Sequence, residues 1–142
     1  MKVIGLTGNI ACGKSSVSNI LRELGAYVID ADIVAREVTK KGKQAWLMIK
    51  EHFGQGYIGQ DGEIDRRKLG ELVFSNPESL DKLNKIVHPI IVQTIDEELQ
   101  KLRVEKIYKV VAIDAALLIE TGCHTIVDEI WLVTLPYETQ LT

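Results

Sequence analysis

Short apolar runs alternate along this chain with longer segments in which apolar residues recur at helical spacing. Four runs have the length and composition of buried strands: residues 2–6, 26–29, 110–113 and 130–133. Helical patterns follow the first two runs, at residues 13–23 and 33–39. Strands that alternate with helices predict an α/β fold in which a parallel sheet is sandwiched by helices.

The pattern changes between residues 41 and 105, where it predicts helices and no convincing buried strand. Asp65 has the position of a helix N-cap, and Asn76-Pro77 begins another helix. Pro89 is expected to open a longer helix, because apolar residues follow it at helical spacing. Its apolar stripe consists of Ile91, Ile95, Leu99 and Leu102.

This change of pattern predicts two parts. Residues 1–40 and 106–142 form the core that contains the sheet, and residues 41–105 form a helical insertion that makes the second wall of a cleft. Residues 134–142 read as a strand followed by the first turn of a helix. Because so short a helix is not stable alone, we expect the chain to be the N-terminal part of a longer protein.

The first strand runs into a glycine-bounded segment, Gly8-Asn9-Ile10-Ala11-Cys12-Gly13-Lys14-Ser15. This segment fits the G-x-x-x-x-G-K-[ST] pattern of a phosphate-binding loop, and it has the preceding strand and following helix that such a loop requires. Backbone N–H groups of the loop and the helix N-terminus attract an anion. Lys14 can then reach the β- and γ-phosphates, and the Ser15 hydroxyl can bind Mg²⁺. The sequence therefore predicts a nucleoside triphosphate site.

The charge, the hydropathy and the cysteine count limit the kinds of binding partner and the cellular compartment that we expect. The net charge of −3 and the lack of an apolar stretch of membrane-spanning length argue against nucleic acid or a membrane as partner. The first residues form a strand and carry no export signal. Cys12 and Cys123 are too few for a disulfide framework, so we expect a cytoplasmic protein.

Three features distinguish among classes of phosphate-loop protein. The guanine-recognition pattern [NT]-K-x-D is absent, which argues against a GTPase. The run 109–114 ends in Asp114, as in the strand that supports Mg²⁺ in ATPases, but no glutamate follows it, which argues against a motor-type ATPase. Asp30 and Asp32 lie at the end of the second strand, where ligands bind in open α/β sheets. These carboxylates suit a small-molecule kinase, although they would equally cap and stabilise the following helix.

At this point the chain resembles the dephospho-coenzyme A kinase family. The resemblance rests on the phosphate loop together with several further segments. They are residues 28–38 (VIDADIVAREV), 53–54 (FG), 61–69 (DGEIDRRKL), 73–74 (VF), 86–89 (IVHP), 116–120 (ALLIE) and 136–141 (PYETQL). The family transfers the γ-phosphate of ATP to the 3′-hydroxyl of dephospho-coenzyme A. The resemblance therefore implies a fold like that of the P-loop nucleoside and nucleotide kinases, a parallel sheet sandwiched by helices with a helical insertion. It also implies ATP and Mg²⁺ as cofactors and dephospho-coenzyme A as the acceptor.

The resemblance also assigns roles to individual residues. Asp32 accepts the proton of the 3′-hydroxyl, and Lys14 assists catalysis at the phosphates. Asp30 supports the metal shell, together with Ser15, or else the turn. The residues implied to wrap the ATP phosphates are Gly8, Ala11, Cys12, Gly13, Lys14, Ser15 and Ser16.

Acceptor binding is assigned to the insertion and its neighbourhood. Arg66 and Arg67 can meet acceptor phosphates, or they form a solvated basic turn. Arg36 either faces the cleft or pairs with a neighbouring acid. His88 is expected at a helix start, where the backbone dipole disfavours a charged imidazole, so it would act as a neutral hydrogen-bonding group or serve structure alone.

Two departures from the family bear on activity. Ala115-Ala116 stands where the family usually has a proline before the paired leucines, which removes no chemical group. The family also continues beyond position 142 with a lid whose arginines neutralise the transferred phosphoryl group, so this 142-residue form is expected to turn over poorly. The alternatives are another P-loop small-molecule kinase, such as one resembling shikimate kinase, and a nucleotide-binding module without turnover. We expect a monomer or a weak homo-oligomer.

Overall fold

The computed structural model describes residues 1–8 and 14–133 of the chain, and the side chains of all of these except Lys14 and Ser15. Most of the phosphate-loop turn, residues 9–13, and the predicted strand and helix at 134–142 lie outside the described residues.

A parallel sheet of four strands forms the centre of the described fold. The strands are β1 (Lys2–Thr7), β2 (Tyr27–Asp30), β3 (Val110–Asp114) and β4 (Glu129–Leu132). Their order in the sheet is β2-β3-β1-β4, and every pairing is parallel. The apolar runs of β1 and β3 form buried strands: Val3, Leu6 and Val111 are fully inaccessible to solvent. This arrangement confirms the predicted α/β fold.

Six helices accompany the strands within the described ranges. They are α1 (Lys14–Glu23), α2 (Ala31–Val38), α3 (Gln44–Phe53), α4 (Arg66–Ser75), α5 (Pro77–Glu105) and α6 (Leu118–Thr121). The chain divides into two compact units, one containing Met1–Ala31 and the chain from Thr94 onward, the other Asp32–Gln93. The predicted division into a core of residues 1–40 and 106–142 and a helical insertion of residues 41–105 stays a prediction.

In the first unit, α1 packs on one face of the sheet. Leu21 of α1 is buried against Leu6 of β1 and Ala112 of β3, with Val17 and Val28 at the edge of this cluster. At the start of β2, the Tyr27 hydroxyl donates a 2.8 Å hydrogen bond to Glu98 of α5. That bond is the main cause of a raised Tyr27 pKa.

The second unit has its own core, formed by α3, α4 and α5. The buried members are Ala45, Trp46, Ile49, Ile64, Leu69 and Ile86. Trp46 packs there as an aromatic anchor while its indole N–H donates to the Gly62 carbonyl at 2.8 Å. α3 ends at Gly54, whose φ of 96° lies in the region that favours glycine.

The helix predicted to begin at Pro89 is instead the continuation of α5, a 29-residue helix with this proline inside it. Proline removes one backbone hydrogen bond and crowds the preceding turn, but it does not end a helix that is held on both sides. Here Ile86 is buried before the proline, and Ile91 and Ile95 are buried after it. The expected helix start at this position was therefore wrong.

β4 also differs from expectation. The sequence predicts a buried strand here, but every residue of β4 is exposed, with Trp131 at 41% and Leu132 at 67%. β4 is the last strand of the described sheet, and β1 is its partner there, so an apolar composition alone does not bury it. No helix among the described residues is long and apolar enough to cross a membrane.

Candidate active site

The backbone at the end of β1 is shaped for a close turn. Gly8 has a φ of 139°, and a Cβ atom there would lie 2.7 Å from the Val133 carbonyl oxygen. Only glycine fits that position without strain. α1 begins six residues later at Lys14, so the strand before the phosphate loop and the helix after it are both where the motif requires them.

Two carboxylates end neighbouring strands beside this turn. Asp30 is the last residue of β2 and Asp114 the last of β3, and the parallel register pairs them directly. Asp114 is also paired with Leu6 of β1. Neighbouring strands are about 4.8 Å apart, and paired residues project to the same face of a sheet, so these half-buried carboxylates are close together. They lie at the carboxyl ends of the strands, where open α/β sheets bind ligands.

Sequence reasoning missed the partner of Asp114. The Ser18 hydroxyl of α1 donates a 3.0 Å hydrogen bond to Asp114 Oδ2, and Ser18 is only 2% exposed. A serine within the apolar face of a helix was the available signal, because a buried hydroxyl needs a partner. The partner itself lies 96 residues away along the chain and could not be read from local pattern.

Asp32 occupies the first turn of α2, two residues after the end of β2, and it is exposed. An acidic residue is favourable at that place because the helix N-terminus carries partial positive charge. An exposed carboxylate can also accept a proton from a substrate. Its position is therefore compatible with both roles predicted from the sequence.

The basic residues of the second unit have unequal surroundings. Arg66 Nη2 donates to Thr39 Oγ1 at 2.9 Å and makes a longer contact of 3.5 Å with the Arg36 carbonyl, both at the end of α2. Arg67 is 91% exposed and its Nε lies 3.5 Å from Glu71 Oε1. Arg36 has an exposed side chain. Arg67 and Arg36 are thus accessible, whereas Arg66 already holds a structural partner.

His88 does not lie at a helix start. It is half-buried in the interior of α5, which begins 11 residues earlier at Pro77. The dipole argument for a neutral imidazole applies only to the first turn of a helix, so that reasoning was wrong for this residue.

Of the two cysteines, only Cys123 lies among the described residues. Cys12 lies outside the described residues, whereas Cys123 is fully buried. Burial raises the pKa of the Cys123 thiol, which makes it a poor nucleophile. Cys123 therefore serves packing.

Comparison with known proteins decides the family. A model of the dephospho-CoA kinase family matches residues 2–142. This chain belongs to the dephospho-CoA kinase family. The dephospho-CoA kinase of Carboxydothermus hydrogenoformans is 45% identical over 141 residues, which are 99% of this chain and 68% of that protein. The dephospho-CoA kinase of Bacillus anthracis is 46% identical over 139 residues, which are 98% of this chain and 69% of that protein.

Solved structures agree with this fold. A crystal structure from Thermus thermophilus has a TM-score of 0.78 at 35% identity, covering 99% of this chain and 69% of that one. A dephospho-CoA kinase from Campylobacter jejuni has a TM-score of 0.64 at 24% identity, covering 97% and 91%, and it supports the fold alone. The resemblance, the kinase-type α/β fold and the assignment to the kinases are therefore confirmed.

Membership of the dephospho-CoA kinase family implies nucleotide binding. The residues at the sheet edge suit Mg²⁺, because Asp30 and Asp114 offer paired carboxylate oxygens. Among the described residues, no group of three or more His, Cys, Asp or Glu side chains is placed to hold a metal ion. Mg²⁺ does not require one, since it is commonly held by one or two carboxylates together with substrate phosphates and water.

Proposed function

We propose that this protein transfers the γ-phosphate of ATP to the 3′-hydroxyl of dephospho-CoA, giving CoA and ADP in the last step of CoA synthesis. Membership of the dephospho-CoA kinase family supports the reaction and both substrates. The observation that carries the proposal is the pairing of Asp30 with Asp114 at the sheet edge where β1 leads into the phosphate loop.

Asp32 is the proposed general base. The 3′-hydroxyl oxygen attacks the γ-phosphorus while the bond from that phosphorus to the β–γ bridging oxygen breaks. The hydroxyl proton passes to the Asp32 carboxylate, and ADP leaves with the electron pair of the broken bond. The exposure of Asp32 on the first turn of α2 supports this role, because the group must be accessible to an acceptor.

The phosphate loop is proposed to bind ATP. Lys14 offsets negative charge on the β- and γ-phosphates, and the N–H groups at the start of α1 bind phosphate oxygens. The loop residues proposed to contact ATP are Gly8, Ala11, Cys12, Gly13, Lys14, Ser15 and Ser16. The glycine conformation at Gly8 supports this assignment, because it lets the backbone turn sharply after β1.

Ser15 and Asp30 are the proposed Mg²⁺ ligands, and the paired Asp114 fits the same role. When bound, Mg²⁺ would neutralise charge on the phosphates. The acceptor phosphates are assigned to Arg36, Arg66 and Arg67. The accessible guanidinium groups of Arg36 and Arg67 support binding directly, and Arg66 combines that role with its contact to Thr39. His88 is also proposed to contact the acceptor, as the resemblance to the family implies.

The cellular compartment and the oligomeric state of the protein stay predictions. The cysteine usage favours the cytoplasm, and we propose a monomer or a weak homo-oligomer.

A coupled assay of ADP release from the native full-length protein tests the proposed reaction. ADP should accumulate with ATP, Mg²⁺ and dephospho-CoA present, and release should fall to background without dephospho-CoA. Mass analysis of the acceptor should show one added phosphate. Nucleotide binding without acceptor-dependent ADP release would contradict the kinase and favour a binding module. Equal turnover with shikimate as acceptor would favour a different small-molecule kinase.

A further inference from the structure

We propose that Ser18 is a positioning residue for phosphoryl transfer, which acts by holding the Asp114 carboxylate in place at the sheet edge. This inference rests on the proposed kinase function. It concerns a contact that the phosphate-loop motif does not include, because Ser18 lies one helical turn beyond Lys14.

Ser18 is a polar residue on the buried face of α1. Its neighbours on that face, Val17 and Leu21, pack in the cluster that joins α1 to the sheet, and Ser18 is 2% exposed. A hydroxyl has one proton to donate, and a serine within a helix commonly gives it to the carbonyl of the preceding turn. Here the proton goes to Asp114 Oδ2 at 3.0 Å. The hydroxyl therefore links α1 to β3.

Asp114 needs such a partner because of where the register places it. It is paired with Asp30, so two acidic side chains lie at the ends of adjacent strands. A donor on Oδ2 restricts the rotation of the Asp114 carboxylate. Both residues are half-buried, which strengthens the effect of the donor by limiting access of water.

The contact also fixes Asp114 relative to α1. α1 starts at Lys14, the lysine of the loop, and the bond to Asp114 forms one turn further along the same rigid helix. A shift of the carboxylate would change its distance to any metal-bound nucleotide in the loop. Groups that hydrogen-bond metal-binding carboxylates typically affect metal affinity or activity by 10- to 100-fold, as an order of magnitude.

The test compares Ser18→Ala, Ser18→Cys and Ser18→Thr in the native full-length protein, with Asn19→Ala as the control. Cysteine keeps the approximate volume of the side chain but donates weakly, whereas threonine keeps the hydroxyl. Asn19 is an exposed neighbour on α1 whose side chain accepts from Arg22. The readouts are the Mg²⁺ concentration at half-maximal ATP binding, the affinity for ATP in excess EDTA, and kcat and KM for dephospho-CoA.

We expect Ser18→Ala and Ser18→Cys to raise the Mg²⁺ concentration at half-maximal ATP binding by about tenfold. Their kcat should fall, while the KM for dephospho-CoA and the ATP affinity in EDTA stay within about twofold of the wild type. Ser18→Thr and Asn19→Ala should retain the wild-type Mg²⁺ requirement. A role in packing alone would lower stability without moving that requirement.

An unchanged Mg²⁺ requirement in Ser18→Cys, in a preparation whose wild type phosphorylates dephospho-CoA, would overturn this inference and leave the proposed function standing. If Ser18→Ala does not fold, the Mg²⁺ requirement of Ser18→Cys by itself tests the inference. A wild type that binds ATP but produces no CoA would contradict the proposed function itself.

Discussion

Arg66 and Arg67 are adjacent in sequence, yet their guanidinium groups have different partners. Arg66 donates to Thr39, whose own hydroxyl donates to the Ala35 carbonyl at 2.9 Å near the end of α2. Arg67 is exposed and contacts only a glutamate one turn away on its own helix among the interactions described. The sequence predicted a basic pair for acceptor phosphates, but it could not separate the two, because the contact of Arg66 joins segments 27 residues apart.

The difference predicts unequal effects on stability. Arg66→Ala should lower the free energy of unfolding by about 1 kcal/mol, because the hydroxyl of the buried Thr39 loses a hydrogen-bond donor. Arg67→Ala is the matched control, and its loss of an exposed helix pair should cost less than about 0.5 kcal/mol. Urea denaturation of both variants measures the difference. Equal losses, or a larger loss for Arg67→Ala, would show that the contact to Thr39 does not stabilise the protein.

The loop residues could be predicted from a sequence motif, whereas Ser18 could not. The lysine, serine and glycines of the loop follow from a motif with a physical mechanism, and the strand and helix that flank them are present. Ser18 belongs to no motif. Its importance depends on a register that places Asp114 beside Asp30, which only the assembled sheet reveals.

At the scale of elements, local signals predicted helix ends well. Asp65 was expected as an N-cap, and its side chain accepts from the Lys68 N–H at 3.1 Å at the start of α4. Asn76 similarly accepts from the N–H groups of Glu78 and Ser79 where α5 begins. These ends are predictable because capping involves residues within three positions of one another.

The cap of α4 gives a second test of stability. Asp65→Ala should lower the free energy of unfolding by about 1 kcal/mol, because the Lys68 N–H loses its acceptor. Asp65→Asn keeps an acceptor at the same place and should stay within about 0.3 kcal/mol of the wild type. Chemical denaturation of the two variants provides the comparison. A loss in Asp65→Asn as large as that in Asp65→Ala would assign the effect to charge and not to capping.

Elements whose limits depend on distant packing were predicted less well. Pro89 was read as a helix start because local preference favours it there, but buried residues on both sides keep α5 continuous. β4 was read as buried because it is apolar, yet burial depends on what packs against a strand. Both errors come from information that local sequence does not contain.

At the scale of the whole molecule, the order of strands and helices was enough to predict the parallel sheet. The prediction held because strands that alternate with helices pair in parallel, with the helices forming the crossover connections. The assembled sheet then brings Asp30 and Asp114 to one edge, since the carboxyl ends of parallel strands lie together. The reaction could not be predicted from the fold, because many chemistries share it. The specific segments around Asp32, Arg66 and His88 carried that step, through the resemblance to a kinase family that the comparisons confirm.

The central claim is that the Asp32 carboxylate takes the proton of the acceptor hydroxyl. The most direct measurement is the kcat of Asp32→Asn with dephospho-CoA, taken together with its affinity for ATP. Glu37→Gln provides the control, because it removes another carboxylate from the same helix, where Glu37 pairs with Lys40 at 2.9 Å. We predict that Asp32→Asn lowers kcat by about 10²- to 10⁴-fold with ATP affinity within about threefold of the wild type, and that Glu37→Gln keeps near-normal turnover. Near-normal turnover in Asp32→Asn would contradict the assignment of Asp32 as the base.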